Sequence, residues 1–584
     1  MSSPRTTPTG RPTRRGLGNA CHLCRLRKVR CDRAKPACEN CRLAGVACVF
    51  TRLSDQPRKT VHQKLAETKS QLQKLEQKLR ERRSAPNLSS AGSRLSDPGR
   101  FDTAIASFQW HLGFCDLPQT FDLNEFSREL LEEIQSQTSS EPVVVAPKWP
   151  SLHLVRCALD HYKNAHLYSL FPVVDVHEMA RILDVSELDL SDDSLDASTR
   201  ACLGAFTAFI TGLRPKEPAF VAAGADSIAN ARAVLTLLPD LALQDTNVRA
   251  LEALLMIALH VAPMGEPQTA EALMAMGVRI LFNLRANTAQ SEQKSPHLRA
   301  LFWLFYGFDK ENSIRRSRPS LINDADCDLE FPFTYLSDYT DYHFFGTELS
   351  EQVLLFPTDL RMGLLKSRIY RLLYSVEAQK QSEARRLQTI RELDQEMGEL
   401  KASFPRNCQP DDFVGGRVSE TLFRNLSMRG TGTHLEYYYC LMKIHAATAI
   451  NGRIPPPQSS IELCYQAARS TLLYMDRLQF CITPETFWIH ADFVIPAVLA
   501  LHQRLVAVSP SDASYVREDL QILENTAYIY GKLAASGAEK GEVFAPYIIA
   551  ERFIRRIAAL AEESIMTSST RMSVRRSDWV NGGT

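Results

Sequence analysis

CHLCRLRKVRCDRAKPACENCRLAGVAC, residues 21–48, contains six of the chain's 14 cysteines and decides the fold of the N-terminal part. The spacing is C-x2-C-x6-C-x6-C-x2-C-x6-C, and residues 21–31 align with residues 38–48. Two C-x2-C pairs in a short, helix-compatible stretch are how thiolates reach a tetrahedral metal. The pattern predicts zinc held by two similar halves. The candidate ligands are Cys21, Cys24, Cys31, Cys38, Cys41 and Cys48.

Six thiolates allow two arrangements of the metal. One four-coordinate zinc would leave two cysteines spare, whereas two tetrahedral zincs need eight ligand positions, so two thiolates would have to bridge. The internal repeat favours two zincs, with Cys21 and Cys38, the first cysteine of each half, as the natural bridging pair. A module of this size has too little core to fold alone, so metal binding would supply roughly 10–16 kcal/mol of folding free energy.

The formal net charge of +1 over 584 residues conceals two opposite parts. Residues 1–83 carry 21 basic and 6 acidic side chains, a net of +15, and the rest of the chain carries 47 and 61, a net of −14. A basic head on an acidic body predicts a polyanionic partner at one end only. With 45% hydrophobic residues, the body has ample material for a large core.

The two halves of the repeat differ in charge. Positions 27, 28 and 30 are Arg, Lys and Arg, and their equivalents at 44, 45 and 47 are Ala, Gly and Ala. The first half therefore presents the cationic face, and we expect it to meet the polyanionic partner. A zinc cluster that serves only as a folding or protein-docking module is the alternative.

The whole motif, with its basic run after Cys24 and Pro36 before Cys38, resembles the fungal zinc binuclear cluster transcription factors. The resemblance implies a nuclear protein with two zinc ions per chain, bridged by Cys21 and Cys38. It also implies recognition of CGG triplets in double-stranded DNA, with Arg27 and Lys28 contacting the bases. The remaining basic residues, Arg25, Arg30, Arg33, Lys35 and Arg42, are assigned to phosphate contacts. For Arg33 and Arg42 a solvated surface charge is the alternative.

A heptad pattern over residues 61–83 predicts a short parallel coiled coil, and hence a homodimer. The predicted contacts are Val61, Leu65, Leu72, Leu75 and Leu79. A single amphipathic helix packed on the body is the alternative. In a dimer, the linker 51–60 would set the spacing and orientation of two CGG triplets.

Beyond residue 145 the apolar residues recur at helical spacing almost throughout, which predicts a large all-α body. LYSLFPVVD (167–175) and residues 298–332 are similar to the middle, regulatory domain of the same family. The body has no P-loop, H-E-x-x-H or G-x-S-x-G motif, and Gly430-Thr431-Gly432 lacks the further glycine of a dinucleotide site. We therefore expect no enzyme activity.

The predicted organisation has seven parts. They are a disordered basic arm (1–20), the zinc cluster (21–50), a linker (51–60), the coiled coil (61–83), a flexible linker with an acidic helix (84–144), the helical regulatory domain (145–565) and a disordered tail (566–584).

Two acidic-hydrophobic stretches, 121–134 and 183–196, have the composition of activation segments, with a packing helix and a solvated loop as their alternatives. The N-terminus has no apolar signal region, and the apolar runs are too short to span a membrane, so we expect no membrane partner. The sequence thus predicts a zinc-dependent regulator of RNA polymerase II transcription, which family precedent links to metabolic or secondary-metabolite genes. A coactivator or a small-molecule effector is the expected further partner, and a metabolite sensor with little base readout is the rival function.

Overall fold

The computed structural model separates into two compact units, Met1–Leu88 and Ser89–Thr584, which are described in turn. The residues that the structure describes are 20–50, 101–135, 146–184, 189–190, 195–243, 247–346, 353–449, 457–507, 513–539 and 543–581. The predicted arm, linker and coiled coil therefore lie outside the described residues, apart from residue 20.

The small unit contains two short helices, α1 (His22–Leu26) and α2 (Glu39–Leu43), each beginning directly after the first cysteine of its half. Both helices end with the same backbone hydrogen bond. The Val29 N–H donates to the Cys24 carbonyl (3.0 Å), and 17 residues later the Val46 N–H donates to the Cys41 carbonyl (3.1 Å). The sequence repeat is therefore a structural repeat.

The larger unit is helical throughout its described part, which confirms the predicted all-α class. Its helices are Phe101–Leu112 (α3), Leu123–Gln135 (α4), Leu152–Asn164 (α5), Leu167–Leu170 (α6), Val176–Leu183 (α7), Ala197–Leu213 (α8), Pro218–Ala222 (α9), Ser227–Leu235 (α10), Leu238–Leu243 (α11), Val248–Val261 (α12), Pro267–Asn283 (α13), Gln290–Lys294 (α14), Pro296–Arg316 (α15), Leu360–Ile369 (α16), Val376–Gln379 (α17), Glu383–Ala402 (α18), Pro410–Val414 (α19), Glu420–Arg424 (α20), Met428–Ala446 (α21), Gln458–Arg477 (α22), Phe487–Ala507 (α23), Ala513–Glu539 (α24) and Ala545–Asn581 (α25). Extended pairing among the described residues is confined to two isolated bridges.

Two hydrophobic cores fill the larger unit. The first is built mainly from α5 to α15, and the second from α3, α4 and the helices from α16 onward. Helix α15 joins them, because Phe302 and Trp303 lie in the first core and Ile314, at the other end of the helix, lies in the second.

The family-like motif at residues 298–332 has a structural explanation. Asp309, which is buried in α15, accepts hydrogen bonds from the backbone N–H groups of Leu321 (2.7 Å) and Ile322 (3.0 Å). The neighbouring Lys310 donates to the Ile322 carbonyl. The acid and the base together hold the chain that follows α15 against this helix.

The predicted flexible linker with an acidic helix, 84–144, is described at 101–135. The acidic stretch there is helical, as α4, and α3 is a further helix that the prediction did not include. The two helices bury Phe108, Leu112, Phe126 and Leu130 in the second core. The Ser- and Pro-rich composition upstream concealed the helical spacing of these apolar side chains. Because the apolar face of residues 121–134 is buried, the packing-helix alternative holds there rather than an exposed activation segment. Most of the other acidic stretch, 183–196, lies outside the described residues.

The predicted disordered tail, 566–584, also differs from the structure, since α25 continues to Asn581. No glycine or proline interrupts the chain between Pro546 and Gly582, so nothing in the sequence ends the helix earlier.

Helix α23 is long and apolar enough, by length and composition alone, to cross a membrane. However, 13 of its 21 residues are buried within the larger unit, among them the polar residues His490 and His502. Burial against the other helices makes α23 a core helix.

The Gly430-Thr431-Gly432 segment lies in the first turns of α21 and forms no nucleotide-binding loop. A Cβ added at Gly430 would stand 2.5 Å from the Phe344 carbonyl oxygen and 2.7 Å from its Cα, whereas one at Gly432 would have nothing within 4 Å. The Ser427 N–H donates to the same Phe344 carbonyl (2.7 Å), so the two backbones are in close contact. Gly430 therefore permits close packing.

We predict that Gly430→Ala lowers the free energy of unfolding by about 1–3 kcal/mol, because the clash involves backbone that cannot turn aside. Gly432→Ala, the matched control in the same helix, should raise it by about 0.5–1 kcal/mol through helix propensity. Denaturant unfolding of the full chain, followed by circular dichroism, measures both. Equal effects of the two substitutions would contradict the packing role.

Candidate metal centre and nucleic-acid interface

The six cysteines of the repeat come together in the small unit. The Cys21 Sγ lies 3.7 Å from the Cys38 Sγ and 3.6 Å from the Cys41 Sγ, and the Cys24 Sγ lies 3.7 Å from the Cys38 Sγ. A tetrahedral zinc with Zn–S bonds of about 2.3 Å has sulfur–sulfur edges of about 3.8 Å. These contacts are too long for disulfides and have the size that a zinc–thiolate site requires.

The sulfur atoms form two sets of four. Within each set all Sγ atoms lie within 4.8 Å of one another, and the two sets have two cysteines in common. The sets are Cys21, Cys24, Cys31, Cys38 and Cys21, Cys38, Cys41, Cys48. The shared pair consists of the two cysteines that the repeat singled out as bridging candidates. Six sulfur atoms thus provide two complete four-sulfur sites, and the donor set fits zinc.

Local structure explains how each half delivers its sulfur atoms. In each C-x2-C pair the second cysteine lies on the helix that begins directly after the first, so both thiols point to one side. Asp32 supports the second half, because its carboxylate accepts from the Glu39 N–H at the start of α2 (3.2 Å). Asn40 links the halves, since its side chain donates to the Arg30 carbonyl (2.9 Å) and to the Cys24 Sγ (3.7 Å). Neither supporting residue was predicted from the sequence, because Asp32 lies six residues before the N-cap position of α2 and carries no local capping signal.

The thiols of the cluster differ in acidity. The backbone N–H of Cys24 lowers the pKa of the Cys21 thiol to about 6. Burial raises the pKa of Cys24 and of Cys38, and raises that of Cys41 to about 11. Metal binding must therefore displace protons from buried thiols, which couples metal affinity to pH and to folding.

One face of the small unit is cationic. Arg27, Lys28 and Arg30 follow α1 and are all exposed, whereas the equivalent positions after α2 carry no charge. The other predicted phosphate-contact residues with described side chains, Arg33, Lys35 and Arg42, are also exposed. Arg42 lies 3.8 Å from the carboxylate of Glu39, an exposed pair that reduces the positive charge of the second half. The side chain of Arg25 lies outside what the structure describes, as do all five predicted dimer contacts.

The backbone after the two helices shows why the halves differ at one position. Lys28 has a φ of +52°, in the left-handed region that favours glycine, and the repeat places Gly45, with a φ of +63°, at the equivalent position. A non-glycine residue in this conformation costs about 1–2 kcal/mol. The alignment of Lys28 with Gly45 indicates a positive φ at residue 28, which was not among the features predicted from the sequence.

Comparison with known proteins agrees with the geometry of the cluster and with the helical body. Residues 19–57 match the family model of the fungal Zn(2)-Cys(6) binuclear cluster domain, and residues 166–402 match that of the fungal specific transcription factor domain. The sulfur sites and the helical body thus lie in two segments that match the two domains of fungal Zn(2)-Cys(6) transcription factors, a class of transcription regulators rather than of enzymes.

Three relatives illustrate the extent of the similarity. An ABC-transporter-regulating transcription factor of Aspergillus fumigatus is 27% identical over 51% of this chain and 34% of its own length. An uncharacterised transcriptional regulatory protein of Schizosaccharomyces pombe is 22% identical over 75% of this chain and 62% of its own length. An azaphilone cluster-specific transcription factor of Aspergillus niger is 44% identical over 14% of this chain and 19% of its own length. The matches thus span about a third to two thirds of the longer-matching relatives.

We predict that Lys28→Gly stabilises the zinc-loaded small unit by about 1 kcal/mol, because glycine adopts the left-handed conformation without strain. Lys28→Ala is the matched control, since it removes the same charge and keeps a side chain at positive φ. Competition for zinc between the full-length protein and a chromogenic chelator measures the effect as an approximately fivefold difference in apparent affinity. Equal zinc retention by the two variants would contradict the strain at Lys28.

Proposed function

We propose that this protein is a nuclear regulator of RNA polymerase II transcription that binds CGG triplets through the half of its zinc cluster that contains α1. The cationic face next to the shared-sulfur cluster is the observation that carries the proposal. A module held by metal–thiolate bonds can keep its surface residues for DNA, because none of them has to build a core.

The proposed metal content is two zinc ions, one in each four-sulfur set, with Cys21 and Cys38 as bridging ligands. The two overlapping sulfur sets support this arrangement over a single zinc with two spare cysteines. Zinc would supply the folding free energy of the unit. Two zinc ions and six thiolates carry a formal charge of −2, so the basic residues of the small unit also balance the charge of the cluster.

Base recognition is assigned to Arg27 and Lys28, and phosphate binding to the basic residues around them. Arg and Lys side chains reach the O6 and N7 acceptors of guanine in the major groove, which is the commonest specific contact. The exposure of both residues in the turn after α1 supports this assignment. A lysine kept in a strained backbone conformation is also expected where the side chain has a task. The proposed phosphate contacts are Arg25, Arg30, Arg33, Lys35 and Arg42.

A homodimer is proposed from the heptad pattern alone. Val61, Leu65, Leu72, Leu75 and Leu79 would form the seam of a parallel coiled coil. Residues 51–60 would then set the distance between the two CGG triplets.

The proposed targets are the genes of a metabolic or secondary-metabolite pathway. Relatives named as cluster-specific factors for azaphilone and sorbicillinoid biosynthesis support this class, at 44% and 39% identity over short segments. Transporter genes are the second candidate, because the relatives named as ABC-transporter regulators match over half of this chain.

We predict that Lys28→Ala weakens binding of the full-length protein to a duplex with two CGG triplets by about 1–3 kcal/mol, or roughly 5- to 150-fold. On a duplex with the triplets scrambled the loss should be much smaller. Arg42→Ala is the matched control, because a phosphate contact should weaken binding to both duplexes alike and lower the salt dependence. Fluorescence anisotropy of wild type and both variants on the two duplexes measures the affinities at one salt concentration, and a salt titration of wild type and Arg42→Ala measures the salt dependence.

Two outcomes would contradict the proposal. Equal losses for Lys28→Ala on both duplexes would exclude base readout by Lys28. Wild-type protein without preference for CGG over the scrambled duplex would favour the rival function, a zinc cluster used for protein docking.

A further inference from the structure

A half-open cavity lies in the second core, where α3, α15, α21 and α23 meet. Aromatic side chains from α3 and α21 form part of its wall, together with the polar side chains of His111, Arg315, Arg316 and Asp492. The empty space at the site is about 350 Å³, which includes solvent at the open mouth. The interior has room for about two or three water molecules, or one carboxylate group.

One buried nitrogen atom of the cavity wall has no partner. The His111 side chain is 9% exposed, and its Nδ1 lies 2.9 Å from the Asp492 Oδ1, while its Nε2 makes no hydrogen bond. The Arg316 side chain is 8% exposed, and its Nε forms an ion pair with the Glu271 Oε1 at 3.0 Å, without the geometry of a hydrogen bond. A buried polar atom without a partner is costly, so the His111 Nε2 in this cavity points to a ligand.

The orientation of both side chains is well defined. The His111 ring stacks on Trp488, with ring centroids 4.7 Å apart and an interplanar angle of 11°. The Arg316 guanidinium lies over the ring of Trp110 at 4.1 Å and donates to the Asn312 Oδ1 (2.5 Å). Neither group can turn away to find another partner without breaking these contacts.

The carboxylates of Glu271 and Asp492, which lie around the cavity near Arg316, are each shared with other basic side chains. Glu271 is shared between Arg316 and Arg318, at 3.0 and 3.1 Å. Asp492 is shared between Arg315 and His111. Burial lowers the pKa of Arg316, as expected for a cation with insufficient compensation.

The deeper charges do not supply the missing anion. Glu311 pairs with both Arg315 and Lys366, and Lys366 also lies 3.0 Å from Glu436. Burial raises the pKa of Glu436. The four cations of the network (Arg315, Arg316, Arg318 and Lys366) therefore face no excess of carboxylate groups, which leaves room for an additional negative group.

We propose that this cavity binds the carboxylate of a small molecule with a flat apolar portion. The carboxylate accepts from the Arg316 Nε–H and from the His111 Nε2–H. The apolar portion lies in the mouth beside Trp110 and Phe114. An aromatic wall with a few fixed polar groups is the usual composition of a small-molecule site.

The site connects the matched regulatory domain to the rest of the body. Arg315 and Arg316 belong to the segment that matches the fungal specific transcription factor domain, whereas α3, α21 and α23 lie outside it. A bound carboxylate would join α3 to α15. This inference concerns the body alone and stands whether or not the zinc cluster reads CGG.

Benzoate is the probe, and benzamide, which has the same shape without the charge, is its control. We expect benzoate at millimolar concentration to raise the unfolding temperature of the full-length protein and to give a measurable Kd by calorimetry. Benzamide should do neither. An absent shift with benzoate, or an equal shift with benzamide, would overturn the proposal.

Substitutions of the two arginines that pair with Glu271 test where benzoate binds. Arg316→Gln should weaken benzoate binding at least about tenfold, the effect of one charged hydrogen bond. Arg318→Gln, the matched control, loses the same partner Glu271 and its contact with Phe114 (4.4 Å) at the mouth, but Arg318 donates nothing to the bound carboxylate, so its Kd should stay within about threefold of wild type. Equal losses in both variants would overturn the proposed site.

A third variant covers the case in which Arg316→Gln does not fold, as judged by circular dichroism. His111→Asn keeps a donor in place of Nδ1 for Asp492 and removes the unpaired nitrogen. We expect it to fold and to bind benzoate at least about tenfold more weakly. Unchanged affinity in this variant would contradict the role of His111.

Discussion

The sharing of sulfur atoms between two four-sulfur sites is the constraint on which the small unit depends. The side chains buried among its described residues are four cysteines, while large apolar residues such as Leu26 and Leu43 are exposed. A unit of this kind has no hydrophobic core to offset the entropy of ordering its chain. Metal–thiolate bonds must take the place of that core. Six cysteines complete two four-sulfur sites only if Cys21 and Cys38 contribute to both halves.

The same internal repeat that builds the cluster also creates its difference in function. Both halves use the same helix start, the same turn and the same terminal hydrogen bond, so the scaffold is symmetric. The charges on this scaffold are not symmetric. At one position the difference also concerns the backbone, because Lys28 adopts the left-handed conformation that its counterpart Gly45 adopts without strain. The body follows a different principle. There, burial of apolar helix faces forms two hydrophobic cores. Helix α15 contributes apolar residues to both cores and carries a network of buried ion pairs near its C-terminal end.

The sequence was sufficient to predict features whose signal is local. The cysteine spacing predicted the grouping of sulfur atoms, and helical periodicity predicted the all-α body. It failed where a local composition bias concealed a packing face, as in α3, and where no glycine or proline ended a helix, as in α25. It could not predict the cavity, because His111, Arg316, Tyr439 and Asp492 come from four helices far apart in the chain and are brought together only by tertiary packing. Gly430 is a similar case, since its role depends on the backbone of Phe344.

The most direct test of the central claim is the number of zinc ions retained when one cysteine is removed, measured by native mass spectrometry of the full-length protein. The wild type should retain two. Cys48→Ala removes a ligand of one set only and should retain one zinc, whereas Cys21→Ala damages both sets and should retain none. One zinc in the wild type, or equal zinc contents in the two variants, would contradict the shared-sulfur account.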